Sequence, residues 1–125
     1  MSTPPPRWYA RPVLFVSDVE RSIAFFTEQL GFTEHWRHAE VGKTLVAQVD
    51  RSGCELILSS QEPANTGRGR MFISLDLAVL EQVRVELEGR GVAVEDGRWG
   101  YHVMIVRDPD GNDLYFPYPA DNAAE

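Results

Sequence analysis

The sequence predicts an α+β fold of two βαβββ modules, their half-sheets joined into a curved, mixed-sheet cup with the helices outside. Three observations predict it. A turn-and-strand phrase is written twice: Asp50, Gly53 and Leu56 of "VDRSGCELIL" recur as Asp108, Gly111 and Leu114 of "RDPDGNDLYF", 58 residues on. Asp18 and Asp76 stand at the same separation, each opening a helical pattern that stops at a glycine. Each pattern is followed by three segments of strand composition. One small domain of two related halves accounts for all three.

The elements follow in chain order. Pro4, Pro5 and Pro6 exclude a helix or a central strand, so residues 1–10 read as an extended arm. "RPVLFVS" opens the first module, residues 11–60, as a short apolar strand. Ser17 and Glu20 fit a capping box, and Ile23, Phe26 and Leu30 fall on one helical face before Gly31 ends the helix. "FTEHWRHA", "KTLVAQVD" and "CELILSS" are three strands. Pro63, Asn65, Gly67 and Gly69 mark residues 61–69 as the linker. The second module, residues 70–118 of a domain spanning 11–120, repeats the order. "RMFISLD" is its first strand, Val79, Leu80, Val83 and Leu87 have helical spacing before Gly91, and "VAVEDGRW", "YHVMIVRD" and "DLYFPYP" close it. Residues 121–125 are a tail. The repeated Asp-x-x-Gly suits a type I turn, with Pro109 supplying the required φ in the second copy.

Period-2 alternation sorts the strand side chains onto two faces. Leu14, Val16, Met71, Ile73, Leu56, Leu58, Leu114 and Phe116 point to the helices. Arg11, Phe15, Arg70, Phe72, Glu55, Ile57, Asp113 and Tyr115 line the cup.

Composition narrows the function classes. The 125 residues suit one domain with a real core. Nineteen acidic against 12 basic side chains give a net charge of −7, which opposes nucleic-acid binding and favours cationic ligands. Cys54 is the only cysteine, so no internal disulfide forms. With no apolar run long enough to span a bilayer and no signal-peptide pattern in "MSTPPPRWYA", the expectation is a cytoplasmic protein without membrane or nucleic-acid partners.

Paired βαβββ modules, the opening "RPVLFVSDVERSIAFFTEQLGF" and the closing "WGYHVMIVRDPDGNDLYF" resemble the vicinal oxygen chelate superfamily. That superfamily includes glyoxalase I, ring-cleaving dioxygenases and the bleomycin resistance proteins, and the resemblance covers residues 11–118. Its enzymes hold a divalent metal with His, Gln or Glu from the first and last strands of each module. The matching positions here are Arg11, Ile57, Arg70 and Tyr115. Arginine repels a cation and isoleucine has no donor atom. Glu55 reaches a ligand place only if the strand register slips, and His35, His38 and His102 stand at none. The resemblance thus implies the bleomycin-resistance branch, with no metal, cofactor or catalytic residue.

In that branch two chains pair as a homodimer, and aromatic rings clamp a drug in the cleft between them without altering it. "LGFTEHW" places Trp36 at the aromatic position after the first helix, and "RWGYHVMIVRDPDG" places Trp99 in the Trp-Gly motif. These two lead the candidate ligand-binding residues. Phe15, Phe72 and Tyr115 share the expected cup face, and Tyr101 and His102 adjoin Trp99. Arg11 and Arg70 either pair with Glu55 and Asp113 or meet an acidic group on the ligand. The implied function is sequestration of a bleomycin-like or other planar, aromatic or cationic antibiotic, conferring resistance. A metal-dependent lyase, transferase or dioxygenase and an accessory metabolite-binding protein are the alternatives.

Overall fold

The computed structural model describes residues 3–119; the first two arm residues and the 121–125 tail lie outside the described residues. Strands β1 (Val13–Phe15), β2 (Thr33–Glu40), β3 (Lys43–Arg51) and β4 (Cys54–Ser59) form one four-stranded sheet in the order β1-β4-β3-β2. Strands β5 (Arg70–Phe72), β6 (Glu95–Arg98), β7 (His102–Arg107) and β8 (Asp113–Pro117) form another, ordered β5-β8-β7-β6. In each, the first strand pairs parallel with the last and the remaining pairs are antiparallel. This is the doubled βαβββ arrangement expected from the repeat. No helix among the described residues is long and apolar enough to cross a membrane.

Helix α1 (Val19–Ala24) runs on into a π-helical turn, Phe25–Gln29. There the Leu30 amide reaches back to the Phe25 carbonyl, while the Thr27 hydroxyl bonds the Ile23 carbonyl at 2.8 Å. The turn keeps Phe26 fully buried, edge-on to Phe25 and Phe32 with ring centroids 5.5 and 5.3 Å away. Helix α2 (Leu77–Gly89) buries Leu80 and Leu87. Both helices join Leu14, Leu56, Leu58, Met71, Met104 and Leu114 in one core spanning both sheets. Each such side chain contributes roughly 1.5–3 kcal/mol on burial.

The halves are stitched together in the second Asp-x-x-Gly loop. Asn112, fully buried, donates to the Phe15 carbonyl of β1 at 3.2 Å and to the Asp108 carboxylate at 2.8 Å, and accepts from the Gly69 amide at 2.7 Å. A Cβ on Gly69 would lie 2.9 Å from the Asn112 amide oxygen and from Leu14, so this close approach requires glycine. Elsewhere Arg51 clasps both carboxylate oxygens of Glu86 on α2, at 3.0 and 2.9 Å, and holds that carboxyl below its usual range.

Three local expectations are corrected. Ser17 is not the cap of α1. Asp18 accepts from the Arg21 amide at 3.1 Å, while the Ser17 hydroxyl and amide both donate to Asp110 of the other half. Glu20 accepts from Thr44 rather than reaching back to Ser17. A carboxylate is the stronger acceptor at the first position it can occupy, and Asp110 captures the serine.

The two copies of the turn also fold differently. Arg51 pairs directly with Cys54, so Ser52 and Gly53 alone make the turn, with φ of +50° and +86°. That is the primed geometry whose twist matches a two-residue hairpin. In the second copy Arg107 pairs with Asp113 across a five-residue loop. There the Gly111 amide donates to the Asp108 carbonyl at 3.0 Å, as the type I expectation requires.

The sixth strand is shorter than "VAVEDGRW". Val92 and Val94 pack on the core behind the end of α2, where the Val92 amide bonds the Leu87 carbonyl, and Trp99 lies beyond the strand in a loop.

Candidate ligand-binding site

Each sheet has a face turned away from the core, and each such face carries its own set of side chains. On the first sheet the register places Val13, Ile57, Gln48 and Trp36 in one row across four strands. Gln48 is the centre of that row and is 2% exposed. Its amide oxygen accepts from the Trp36 indole at 3.0 Å and from the Arg11 guanidinium at 2.6 Å. Its amide nitrogen donates to Asp50 and Glu55, both at 2.9 Å. Glu55 also accepts from the Tyr9 hydroxyl, and the Arg11 guanidinium lies 5.4 Å from the centre of the Tyr9 ring. With all its hydrogen-bonding groups engaged, this glutamine sets the orientation of the indole above it. Phe15 is half-buried on the same face, in register with Ser59.

The second sheet presents rings. Phe72, Tyr115, Ile105 and Glu95 form one row. The three-residue loop 99–101, with Gly100 at φ +76°, projects Trp99 and Tyr101 beside it. Trp99 lies 5.0 Å from Phe72 and 6.5 Å from Tyr101, and Phe72 lies 5.5 Å from Tyr115, all tilted or edge-on. The Arg70 guanidinium sits 4.6 Å over the Tyr115 ring while bonded to Asp113 at 3.0 Å. Tyr115, Val103 and Ile105 are buried beneath, whereas Trp99, Tyr101 and Phe72 are 50%, 42% and 40% exposed. Large aromatics left open to water side by side form a surface suited to a flat apolar partner.

The structure therefore brings Phe72, Trp99, Tyr101, Tyr115 and Arg70 together on one face, and Trp36, Arg11, Glu55 and Phe15 on another. Among the described residues no hydrogen bond, ion pair or ring pair joins the two groups. His102 belongs to neither. It points to the helix side, stacked on Tyr118 at 4.0 Å and bonded to Asp96 at 2.9 Å. Asp96 is in turn gripped by Arg84, which together with His102 holds its carboxyl well below the usual carboxylate range. His102 stands three residues from Trp99, an odd separation that strand alternation sends to the opposite face, the one shared with Met104 and Val106.

Sequence reasoning missed Gln48, Asp50 and Tyr9. Alternation along "KTLVAQVD" was sufficient to put Gln48 and Asp50 on the open face, because Ala47 and Val49 face the core. Tyr9 had no such signal, since the arm has no periodicity.

The four positions matched to metal ligands do not fit a metal. Arg11 and Arg70 are committed to Gln48 and Asp113, Ile57 offers no donor, and Tyr115 lies under a guanidinium. Among the described residues no three His, Cys, Asp or Glu side chains are grouped to hold an ion. Away from both faces, on the helix side, a cavity of about 200 Å³ is lined by Leu30, Phe32, Cys54, Ile73, Val83 and Phe116. Burial, helped by the Asp50 charge, pushes the Cys54 thiol up and keeps it neutral.

A family model described as the Glyoxalase/Bleomycin resistance protein/Dioxygenase superfamily matches residues 8–116. Among solved structures, TnmS3, an antibiotic binding protein from Streptomyces sp. CB03234, is 25% identical, with a TM-score of 0.72 over 90% of this chain and 97% of its own. A bleomycin-binding protein from Streptomyces verticillus, complexed with copper(II)-bleomycin, is 22% identical with a TM-score of 0.72, over 91% of this chain and 98% of its own. A lactoylglutathione lyase from Agrobacterium tumefaciens is 18% identical with a TM-score of 0.66, over 92% and 96%. The last two likenesses are of fold alone. No match was found among curated proteins.

Proposed function

The chain belongs to the Glyoxalase/Bleomycin resistance protein/Dioxygenase superfamily, and within it we propose a non-catalytic binder that sequesters a planar, aromatic or cationic antibiotic and so confers resistance. The observation that carries this reading is the exposed ring cluster of Phe72, Trp99 and Tyr101 over the buried Tyr115. Stacking on such rings is worth roughly 1–3 kcal/mol per contact. Similarity to an antibiotic binding protein at 25% identity supports the same ligand class. Among the described residues neither sheet face sets a general base on a nucleophile.

Each face is open in a single chain. The proposed site closes when two chains pair, with the Trp36 face of one opposite the Trp99 face of its partner and the guest between them. The first face adds the Asp50 and Glu55 carboxylates, which suit a cationic group on the guest. The test is a titration with metal-free bleomycin and a panel of planar antibiotics, read by tryptophan fluorescence, with Trp36→Ala and Trp99→Ala alongside. Saturable quenching in the wild type, lost in both variants while they remain folded, is the expected result. A flat response across the panel overturns the reading.

A further inference from the structure

In the first half the parallel ladder between β1 and β4 runs to Phe15 opposite Ser59, and Val16 adds a bond to the Ser59 carbonyl. Leu14 and Val16 are buried there. In the second half β5 stops with Phe72 opposite Tyr115, and the Ile73 amide on the Tyr115 carbonyl is the last bond of that ladder among the described residues. The next donor in line is residue 117, where proline has no N–H to give. Residues 74–76 therefore leave the sheet, and Ile73 and Leu75, which continue the core-facing alternation of Met71, stay only partly buried. The cavity of about 200 Å³ opens beside them, walled by Leu30, Phe32, Val83, Leu114 and Phe116. Arg51 props it: its guanidinium bonds the Leu30 carbonyl at 2.7 Å and both Glu86 oxygens on α2, fixing the helix against the first half. The Cys54 thiol that completes the lining is held neutral by its burial, so no charge opposes an apolar occupant. Ser52 and Ser74, both exposed, mark the mouth.

We infer that this cavity is a second ligand site, for a small single-ring aromatic molecule. An apolar cavity of about 150 Å³ lined by Leu, Ile and Phe binds benzene. The larger space here takes a ring with one substituent, its polar end facing Ser52 and Ser74 at the mouth. The site lies on the helix side of the sheets, away from the exposed rings of Phe72, Trp99 and Tyr101, and it does not rest on the binding function proposed above.

The full chain carries its own reporter, because Cys54 is the only cysteine. Toluene is expected to slow alkylation of Cys54 by iodoacetamide saturably, by roughly tenfold at about ten times its Kd. Proflavine, a rigid three-ring cation too wide for the cavity, is expected to leave the rate unchanged. NOEs from toluene to the Ile73 and Val83 methyl groups are expected to locate it. Val83→Phe fills the space from α2 and is expected to abolish both the protection by toluene and the NOEs to Ile73. Where that variant fails to fold, Val79→Trp serves in its place, covering the mouth from an exposed helix position without entering the core. No slowing up to the aqueous solubility of toluene, equal slowing by proflavine, NOEs confined to Phe72, Trp99 and Tyr101, or protection that survives in the folded variants each overturn the inference. None of these results bears on the antibiotic titration, so the binding function stands or falls separately.

Discussion

The Trp36 indole and the Arg11 guanidinium donate to one and the same oxygen, that of Gln48, from 3.0 and 2.6 Å. An aromatic ring on the edge strand and a cation just ahead of β1 are therefore positioned by a single amide in the middle of the sheet. Gln48→Ala leaves those donors, and the Asp50 and Glu55 carboxylates, without their shared partner. We expect a loss of about 1–3 kcal/mol in urea unfolding, with a red-shifted and broadened Trp36 emission. Unaltered emission would mean that strand packing, not this amide, fixes the indole.

Phe72 separates Trp99 from Tyr115, touching both. It is 40% exposed, so Phe72→Ala is expected to cost only about 1–2 kcal/mol of stability. Its effect on ligand affinity is expected to be larger than its effect on folding, because Trp99 loses the ring against which it is tilted. Parallel unfolding and fluorescence titrations compare the two.

Asn112→Ala removes the Phe15, Asp108 and Gly69 bonds at a fully buried position. The expected cost is about 1–3 kcal/mol, since the Gly69 amide loses its partner while the Phe15 carbonyl keeps the Gly67 amide and Asp108 keeps the backbone amides of residues 110 and 112. Asn112→Asp is expected to be at least as damaging: it cannot donate to the Phe15 carbonyl and sets a second carboxylate against Asp108. Differential scanning calorimetry of the two variants checks the order.

Asp96 supplies a pH dependence. Its folded-state carboxyl is depressed, first by the Arg84 hydrogen bonds and then by His102. The stability it contributes is complete above the unfolded value, about 3.9. That contribution is lost as pH falls through this value toward the folded one. The gap in urea midpoint between wild type and Asp96→Asn is therefore expected to narrow below about pH 4. A gap independent of pH would assign the Asn effect to geometry rather than charge.

Much of this architecture is legible in the sequence because it is written at short range. Leu14, Val16, Leu56, Leu58 and Leu114 alternate along their strands, and all are buried. Phe72 and Tyr115 share a face by the same alternation in β5 and β8, whereas Trp99 is placed by resemblance to the Trp-Gly motif. What was not legible depends on partners distant in the chain. Ser17 carries a good local capping signal, but Asp110, 93 residues away, outbids the helix for it. The Asp-x-x-Gly motif reads alike at both sites, yet one strand pair continues to the turn and the other stops short. The side that His102 takes was legible, since it follows Trp99 by three residues and an odd separation sends it to the face of Met104 and Val106.

The bond from Asn112 to the Phe15 carbonyl spans 97 residues. During synthesis, β1 emerges early and can pair with β4 as soon as the first half has left the ribosome; the carbonyl at its far end meets the Gly67 amide soon afterwards, but its second donor, the Asn112 side chain, waits for nearly the whole chain. A nascent first half thus exposes an uncovered core face throughout the translation of the second. Nonsense truncations anywhere before Asn112 would leave the same seam open, which makes premature chains of this protein natural substrates for chaperones and proteases.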